Sequence, residues 1–142
     1  ILGLVNVLSA SVPTFEYLIH LETNYIRANT MLNFLQFTPN LESLVIVQAK
    51  INEDAFTSNL VPRCLLRNLK TIKVQMFEGL PEELQLVKYF LKNARVLQVL
   101  IIESGITSKS VAELKRGTQI MQRLLMYPRA SKSCKVKFQF PE

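Results

Sequence analysis

The chain has 142 residues, of which 49% are hydrophobic, so it fits one domain with a sizeable buried core. No apolar run reaches the ~18 residues of a membrane-spanning helix, so we expect no membrane segment. The net charge of +6 comes entirely from residues 109–142, which hold eight basic and two acidic residues. This basic end indicates an acidic or nucleic-acid partner. The alternative is a helix with a solvated face, followed by an edge strand whose lysines discourage a further strand from pairing.

A short apolar phrase returns four times along the chain. Its first leucines are Leu18, Leu41, Leu69 and Leu97, which lie 23, 28 and 28 residues apart. The pattern Leu-x-x-Leu-x-Leu at a period of about 20–29 residues is typical of leucine-rich repeats. Each phrase predicts a short strand whose alternate side chains point into the core. The expected core positions are Leu21 and Thr23, Leu44 and Ile46, Ile72 and Val74, and Leu100 and Ile102.

Parallel strands need a crossover segment between them. The first crossover, residues 26–37, has apolar residues at helical spacing and predicts a helix. The second, residues 52–67, predicts mostly loop with one short turn, because Pro62 opposes a long helix. The third is the clearest helix and spans residues 81–93. It begins with a proline and two glutamates, which suit a helical first turn.

The last third of the chain predicts one more helix and one more strand. Ser110 and Glu113 form a candidate capping box, with Thr107 and Ser108 as alternative caps. Gly117 weakens the middle of the helix, and Pro128 ends it. The apolar side of this helix is expected to consist of Val111, Leu114, Met121, Leu124 and Leu125. Residues 134–140 alternate between apolar and polar side chains, which is typical of a half-buried strand.

These elements predict an α/β leucine-rich-repeat solenoid. We expect five stacked, mostly parallel strands with helices on the convex side. The final strand would serve as a C-terminal cap, and its direction is left open. The chain does not begin with methionine, and residues 2–9 match the tail of an earlier repeat. We therefore expect the chain to be a piece of a longer array.

The chain resembles the FBD region and the adjoining repeats of plant F-box/FBD/LRR-repeat proteins. The matching motifs are VPRCLL at 61–66, LKTIKV at 69–74, FEG at 77–79, VKYFLKNARVL at 87–97 and PRASKSCKVKF at 128–138. Residues 13–22 and 39–44 resemble the repeats of the same family. The resemblance implies that residues 1–60 are the last leucine-rich repeats of a longer array. Residues 61–142 would be an FBD region that continues and caps the solenoid.

The same resemblance implies a function. Such proteins act as substrate receptors of cullin-RING ubiquitin ligases: the F-box binds a Skp-type adaptor, and the repeats and FBD hold the protein to be ubiquitinated. This chain would be the holding part, non-enzymatic and without a cofactor, in the cytoplasm or nucleus. It would reach the adaptor and cullin only through an F-box, which these residues do not contain. Two alternatives stay open: a leucine-rich-repeat interaction scaffold without a ligase role and, less favoured, a basic nucleic-acid-binding domain.

No catalytic or metal-binding set is expected from the residues themselves. His20 is the only histidine, and its place beside a core leucine predicts a solvent-facing side chain. Cys64 and Cys134 lie far apart, which favours buried thiols in a reducing compartment over a disulfide or a metal site. The acids at 53–54 and 82–83 are adjacent in sequence, so neither pair would converge as a general acid and base.

The outward side of the predicted sheet carries the candidate partner-binding residues. They are Val45, Val47, Lys73, Val99 and Ile101. Four of them are apolar where water is expected, and Glu22 and Glu103 border the set. An apolar centre with a charged rim is typical of a protein interface. The alternative is that residues 52–67 fold over these side chains and cover them.

Overall fold

The computed structural model describes residues 14–48, 60–105 and 110–140. Within these ranges, five strands and four helices alternate along the chain. The strands are β1 (His20–Asn24), β2 (Ser43–Val47), β3 (Thr71–Phe77), β4 (Val99–Ser104) and β5 (Lys135–Gln139). The helices are α1 (Ala28–Leu35), α2 (Arg63–Arg67), α3 (Pro81–Asn93) and α4 (Val111–Met126).

The five strands form one parallel sheet whose spatial order is the chain order, from β1 to β5. β5 also pairs with β4 in the parallel direction, which answers the question that the sequence left open. The register shifts once, between Val74 and Phe77 where β3 pairs with β4. Before that shift, one core residue from each strand lies beside the next. These neighbours are Leu21, Leu44, Ile72, Leu100 and Val136. Each repeated phrase therefore forms the predicted strand, and each crossover returns the chain to the same end of the sheet.

One face of the sheet packs against the helices. All the predicted core positions of β2, β3 and β4 are buried, whereas Leu21 on the edge strand β1 is half-buried. These side chains form one apolar cluster with the buried residues of the four helices. Full burial of a Leu or Ile side chain stabilises the fold by roughly 1.5–3 kcal/mol relative to exposure. The predicted inward positions are confirmed.

The first two crossovers contain helices of different length. α1 buries Ala28, Met31, Leu32 and Leu35, whose spacing of three and four residues places them on one side. α2 has only five residues and begins directly after Pro62, as expected for a residue that suits a helix start but not its interior. Residues 52–59 of the second predicted crossover lie outside the described residues.

α3 spans the predicted residues 81–93 and begins at Pro81. The Oε1 atom of Glu83 accepts hydrogen bonds from the backbone N–H groups of Glu78 and Leu80, each at 3.0 Å. Burial raises the pKa of the Glu83 carboxyl, and these backbone donors oppose that rise. The helix buries apolar side chains at helical spacing, including Leu84 and Val87. The proline and glutamates at residues 81–83 are therefore sufficient to predict where this helix begins.

α4 begins as predicted but buries a different side. The Oγ atom of Ser110 accepts a hydrogen bond from the N–H of Glu113 at 3.3 Å. The expected apolar side was wrong for three of its five residues. Val111 is 83% exposed, Leu114 is 42% exposed and Leu125 is 50% exposed. The helix buries Leu124 as predicted, together with Gly117 and Ile120, which the prediction did not include.

Gly117 explains which side of α4 turns inward. A Cβ atom at this position would lie 2.6 Å from Cζ of Phe140 and 3.3 Å from Cε1 of Phe138. The two aromatic rings that follow in β5 and just after it therefore lie directly against the glycine. Such a close approach is open only to a residue without a side chain. The face of α4 that carries Gly117 consequently meets β5.

Candidate functional site

The predicted partner-binding residues lie on the sheet face opposite the helices. One residue from each strand forms a row across this face: Glu22, Val45, Lys73, Ile101 and Lys137. Neighbouring strands are about 4.8 Å apart, so the row extends over about 19 Å. Along it, the side chains alternate as acid, apolar, base, apolar and base. We call this the central row.

The other two predicted residues lie in the rows on either side. Val47 pairs in register with Asn24 and Gln75, and Val99 pairs with Thr71 and Lys135. All five predicted residues are half-buried, as expected for side chains flanked by neighbours on both adjacent strands. The structure thus brings them onto one face, although Val45 and Ile101 are separated by β3.

Charge is distributed unevenly over the face. The Nζ atom of Lys73 lies 3.5 Å from Oε2 of Glu103, which also accepts a hydrogen bond from the side chain of Gln75 at 3.5 Å. Lys135 and Lys137 are exposed and form no ion pair with any other residue that the structure describes. Uncompensated positive charge therefore lies at the β5 end of the face.

Lys137 is a member of the central row that sequence reasoning did not assign to the candidate site. The alternation in residues 134–140 predicted that Lys135 and Lys137 face outward, and both are exposed. From the sequence alone, two outward lysines on a final strand indicate protection of a sheet edge. Only the parallel pairing of β5 with β4 places Lys137 directly beside Ile101.

A repeated backbone conformation forms one border of the face. Tyr25, Gln48 and Met76 all have positive φ angles, of 57°, 50° and 59°. Each directly follows the last of three outward-facing residues on its strand, so the three lie at equivalent positions. The N–H of Tyr25 donates to Val47 O at 3.0 Å, and that of Gln48 donates to Gln75 O at 3.3 Å. These residue types rarely adopt the left-handed region, so their sequence contains no signal for this border.

The side chains of this face offer apolar and charged contacts. No group of His, Cys, Asp or Glu side chains suitable for a metal ion occurs within residues 14–48, 60–105 and 110–140. The only histidine is exposed on β1, with its Nε2 atom 3.2 Å from Oε1 of Glu22. Valine and isoleucine side chains can receive apolar groups, and the lysines can pair with carboxylates.

The two cysteines are buried away from this face, and both thiols are free. This confirms the prediction of buried, unpaired thiols. Burial raises the pKa of Cys64 from 9.0 to about 11, and it raises the pKa of Cys134 as well. Because a thiolate is the reactive form of cysteine, neither residue is poised to act as a nucleophile near neutral pH.

The helices add no sign of a membrane segment. None of those in the described ranges is both long and apolar enough to span a lipid bilayer. The longest, α4, has 16 residues and includes charged side chains at Glu113, Lys115, Arg116 and Arg123.

Comparison with known proteins identifies relatives for most of the chain. The FBD family matches residues 58–102, which include Lys73, Val99 and Ile101 but neither Val45 nor Val47. An FBD-associated F-box protein of Arabidopsis thaliana is 31% identical over 105 residues, covering 72% of this chain and 22% of the relative. A second is 30% identical over 138 residues, covering 90% of this chain and 29% of the relative. An Arabidopsis thaliana F-box/FBD/LRR-repeat protein is 32% identical over 131 residues, covering 88% and 28%.

The chain thus spans 22% to 29% of the length of these three relatives. No solved structure matches it. The FBD match begins before α2 and ends within β4, so it includes β3 with Lys73 and the part of β4 that carries Ile101. Together, the FBD match and the relatives show that the chain belongs to the plant family of FBD-associated F-box proteins.

Proposed function

We propose that this chain is the protein-recognition part of an F-box-type subunit of a cullin-RING ubiquitin ligase. The observation that carries the proposal is the central row, in which Val45 and Ile101 flank Lys73 in register on a sheet face free of the helices. Family membership supplies the context, since the relatives are named as F-box proteins. The chain itself is inferred to be non-enzymatic and to need no cofactor.

The architecture is inferred to be a leucine-rich-repeat solenoid. The repeated phrases each form a strand, the strands stack in chain order, and the four described helices pack on the same side of the sheet. This arrangement supports an assignment of residues 1–60 to the last repeats and of residues 61–142 to an FBD region that caps them. Solenoids of this kind use their extended sheet face to bind other proteins.

The proposed partner is the protein to be ubiquitinated. Its apolar side chains would pack beside Val45 and Ile101, and its carboxylates would pair with Lys73 and Lys137. Lys73 already has Glu103 as a neighbour at 3.5 Å, so a ligand carboxylate would share the lysine with it. Contact with a Skp-type adaptor and a cullin would pass through an F-box elsewhere in the full-length protein, which acts in the cytoplasm or nucleus.

The experiment uses the full-length protein in plant cells, with Val45→Asp and Ile101→Asp combined in one variant. The control variant combines Gln85→Asp and Ser133→Asp, which add the same charge at exposed positions away from the face. Ubiquitin-modified peptides are quantified by mass spectrometry for each form. We expect a set of modified proteins that depends on the wild-type chain, is lost with the face variant and persists with the control.

Binding of the Skp-type adaptor and the melting temperature are measured for the same variants. An unchanged adaptor interaction and melting temperature would assign the lost ubiquitination to the sheet face. If the face variant unfolds, the valine and isoleucine belong to the core of the protein and the recognition proposal is wrong. A full-length protein that binds no adaptor would favour the alternative of a leucine-rich-repeat scaffold without a ligase role.

A further inference from the structure

α4 has two apolar faces, and the fold buries only one of them. The buried face consists of Gly117, Ile120 and Leu124. The second face, which we call the outer stripe, consists of Val111, Leu114, Thr118, Met121 and Leu125. Val111, Leu114, Thr118 and Leu125 are exposed, and Met121 is half-buried. Apolar side chains on a defined helix face are therefore left in contact with water.

The helix is held firmly by its buried face. Phe138 and Phe140 lie against Gly117, and Cδ1 of Ile120 lies 2.6 Å from the place where a Cβ atom of Gly79 would be. The guanidinium of Arg116 donates a hydrogen bond to the carbonyl of Glu78 at 2.9 Å. These contacts set the rotation of α4 about its axis. Because these contacts fix the buried face against its neighbours, the outer stripe faces the solvent.

The spacing of the outer stripe is that of a helix-packing seam. Its members are separated by three, four, three and four residues, the pattern with which one helix packs along another. A helix of 16 residues is about 24 Å long, which gives a partner helix more than three turns of contact. The Oγ1 atom of Thr118 already donates to the carbonyl of Leu114 at 3.0 Å. Covering this threonine would leave no unmatched hydroxyl donor.

The charges around α4 specify the kind of partner. Residues 110–140 hold seven basic residues and a single acidic residue, Glu113. Lys115 borders the outer stripe, whereas Arg123 lies on the far side of α4 beside Gln119. Both are exposed, and neither forms an ion pair within the described residues. A partner with carboxylates would be attracted to this end of the molecule. Two copies of α4 would instead bring like charges together.

We propose that the outer stripe docks an amphipathic α-helix of a partner protein, with apolar residues at alternating three- and four-residue spacing and Glu or Asp beside them. This surface is separate from the sheet face and does not depend on the function proposed for it. A lipid surface fits less well, because helices that lie on membranes carry Trp, Phe and Leu on their apolar face. The outer stripe has two leucines but neither Trp nor Phe, and Thr118 lies in its middle.

The test is a selection from a displayed library of helical peptides, each three heptads long. Every peptide has leucine at the two seam positions of each heptad. The four flanking positions of each peptide are varied among Glu, Lys, Gln and Ala, and the 142-residue chain is the bait. We expect enrichment of peptides with Glu flanks. The winning peptide, labelled with fluorescein, should lose at least tenfold in affinity by anisotropy when Val111→Glu and Leu125→Glu are combined.

The matched control combines Ala112→Glu and Gln119→Glu, which change the charge of α4 equally but lie at exposed positions off the outer stripe. Affinity close to that of the wild type in this control would show that the stripe, and not net charge, is recognised. Lys115→Glu should shift the selection toward peptides with Lys flanks.

Four results would overturn the proposal. The first is that the wild-type bait enriches no peptides beyond those enriched by the Val111→Glu/Leu125→Glu bait, and the second is that it enriches peptides with Lys flanks. The third is an equal loss of peptide affinity in both double variants. The fourth is a large fall in melting temperature in the stripe variant alone. If light scattering shows that the wild-type chain is a dimer and the stripe variant a monomer, the surface binds a second copy of the chain. Co-sedimentation with anionic phosphatidylserine vesicles that the same variant abolishes would assign it to a membrane.

Discussion

At the scale of single residues, burial decides the chemistry of the cysteines. Cys64 lies at the start of α2 with no solvent exposure, and burial outweighs the hydrogen bonds that would favour its thiolate. Its pKa is raised from 9.0 to about 11. The folded protein therefore holds this proton more tightly than the unfolded chain does, which couples its stability to alkaline pH.

We predict that the free energy of unfolding falls as the pH rises from 9 to 11. The unfolded thiol ionises near its ordinary pKa of 9.0, whereas the folded thiol does so only near 11, so the contribution is complete below pH 9. The loss attributable to Cys64 is about 2–3 kcal/mol, since one unit of pKa corresponds to 1.36 kcal/mol. Urea denaturation across this range measures it. Cys64→Ala should show a shallower decline, and identical slopes in both proteins would contradict the prediction.

At the scale of an element, α4 depends on a local cap and on distant packing. Ser110 provides an acceptor for the first turn through its contact with the Glu113 N–H. The packing comes from Phe138 and Phe140, more than 20 residues later in the chain. Because the cap is local and the packing is not, substitutions at Ser110 test how much of the helix the sequence specifies by itself.

Ser110→Ala should reduce the free energy of unfolding by about 1 kcal/mol, because the N–H of Glu113 loses its side-chain acceptor at the helix start. Ser110→Asp is the matched substitution, since it keeps an acceptor and places negative charge where the helix dipole favours it. Chemical denaturation of the two variants and the wild type provides the comparison. A similar loss in both would mean that the cap does not stabilise α4.

At the scale of the whole molecule, the stacked units are joined by recurring hydrogen bonds. The N–H groups of Glu42 and Ser43 both donate to the carbonyl of Ile19. One unit later, the N–H groups of Lys70 and Thr71 both donate to the carbonyl of Glu42. The side chain of Asn40 donates to Glu16 O at 2.8 Å, and that of Asn68 donates to Pro39 O at 2.6 Å. Each asparagine immediately precedes the first leucine of its repeat and links it to the unit before.

Asn68→Ala should cost about 1 kcal/mol of unfolding free energy, as expected for the loss of a half-buried hydrogen bond between central units. Asn40→Ala should cost less, because its bond lies at the exposed, outer end of the sheet. Denaturant titration of both variants against the wild type tests this difference. A larger loss at Asn40 would show that the β1 end, and not the centre, limits stability.

Much of the fold could be predicted because its determinants are local. The alternation around Leu44, Ile72 and Leu100 specifies which side of each strand is buried. The proline and glutamates at residues 81–83 specify where α3 begins. The five face residues Val45, Val47, Lys73, Val99 and Ile101 followed from the same alternation, and the structure places them on one side of the sheet. Their role in binding a partner stays a prediction.

The sequence by itself determined the strands, the crossovers and the inward or outward side of each strand residue, because these depend on neighbours a few positions away. Only the tertiary structure decided that β5 is parallel, that Lys137 completes the central row and that α4 turns Gly117 inward. On α4, two apolar faces compete for burial, and periodicity cannot rank them. The choice depends on Phe138 and Phe140, whose rings reach the helix only once β5 has paired with β4.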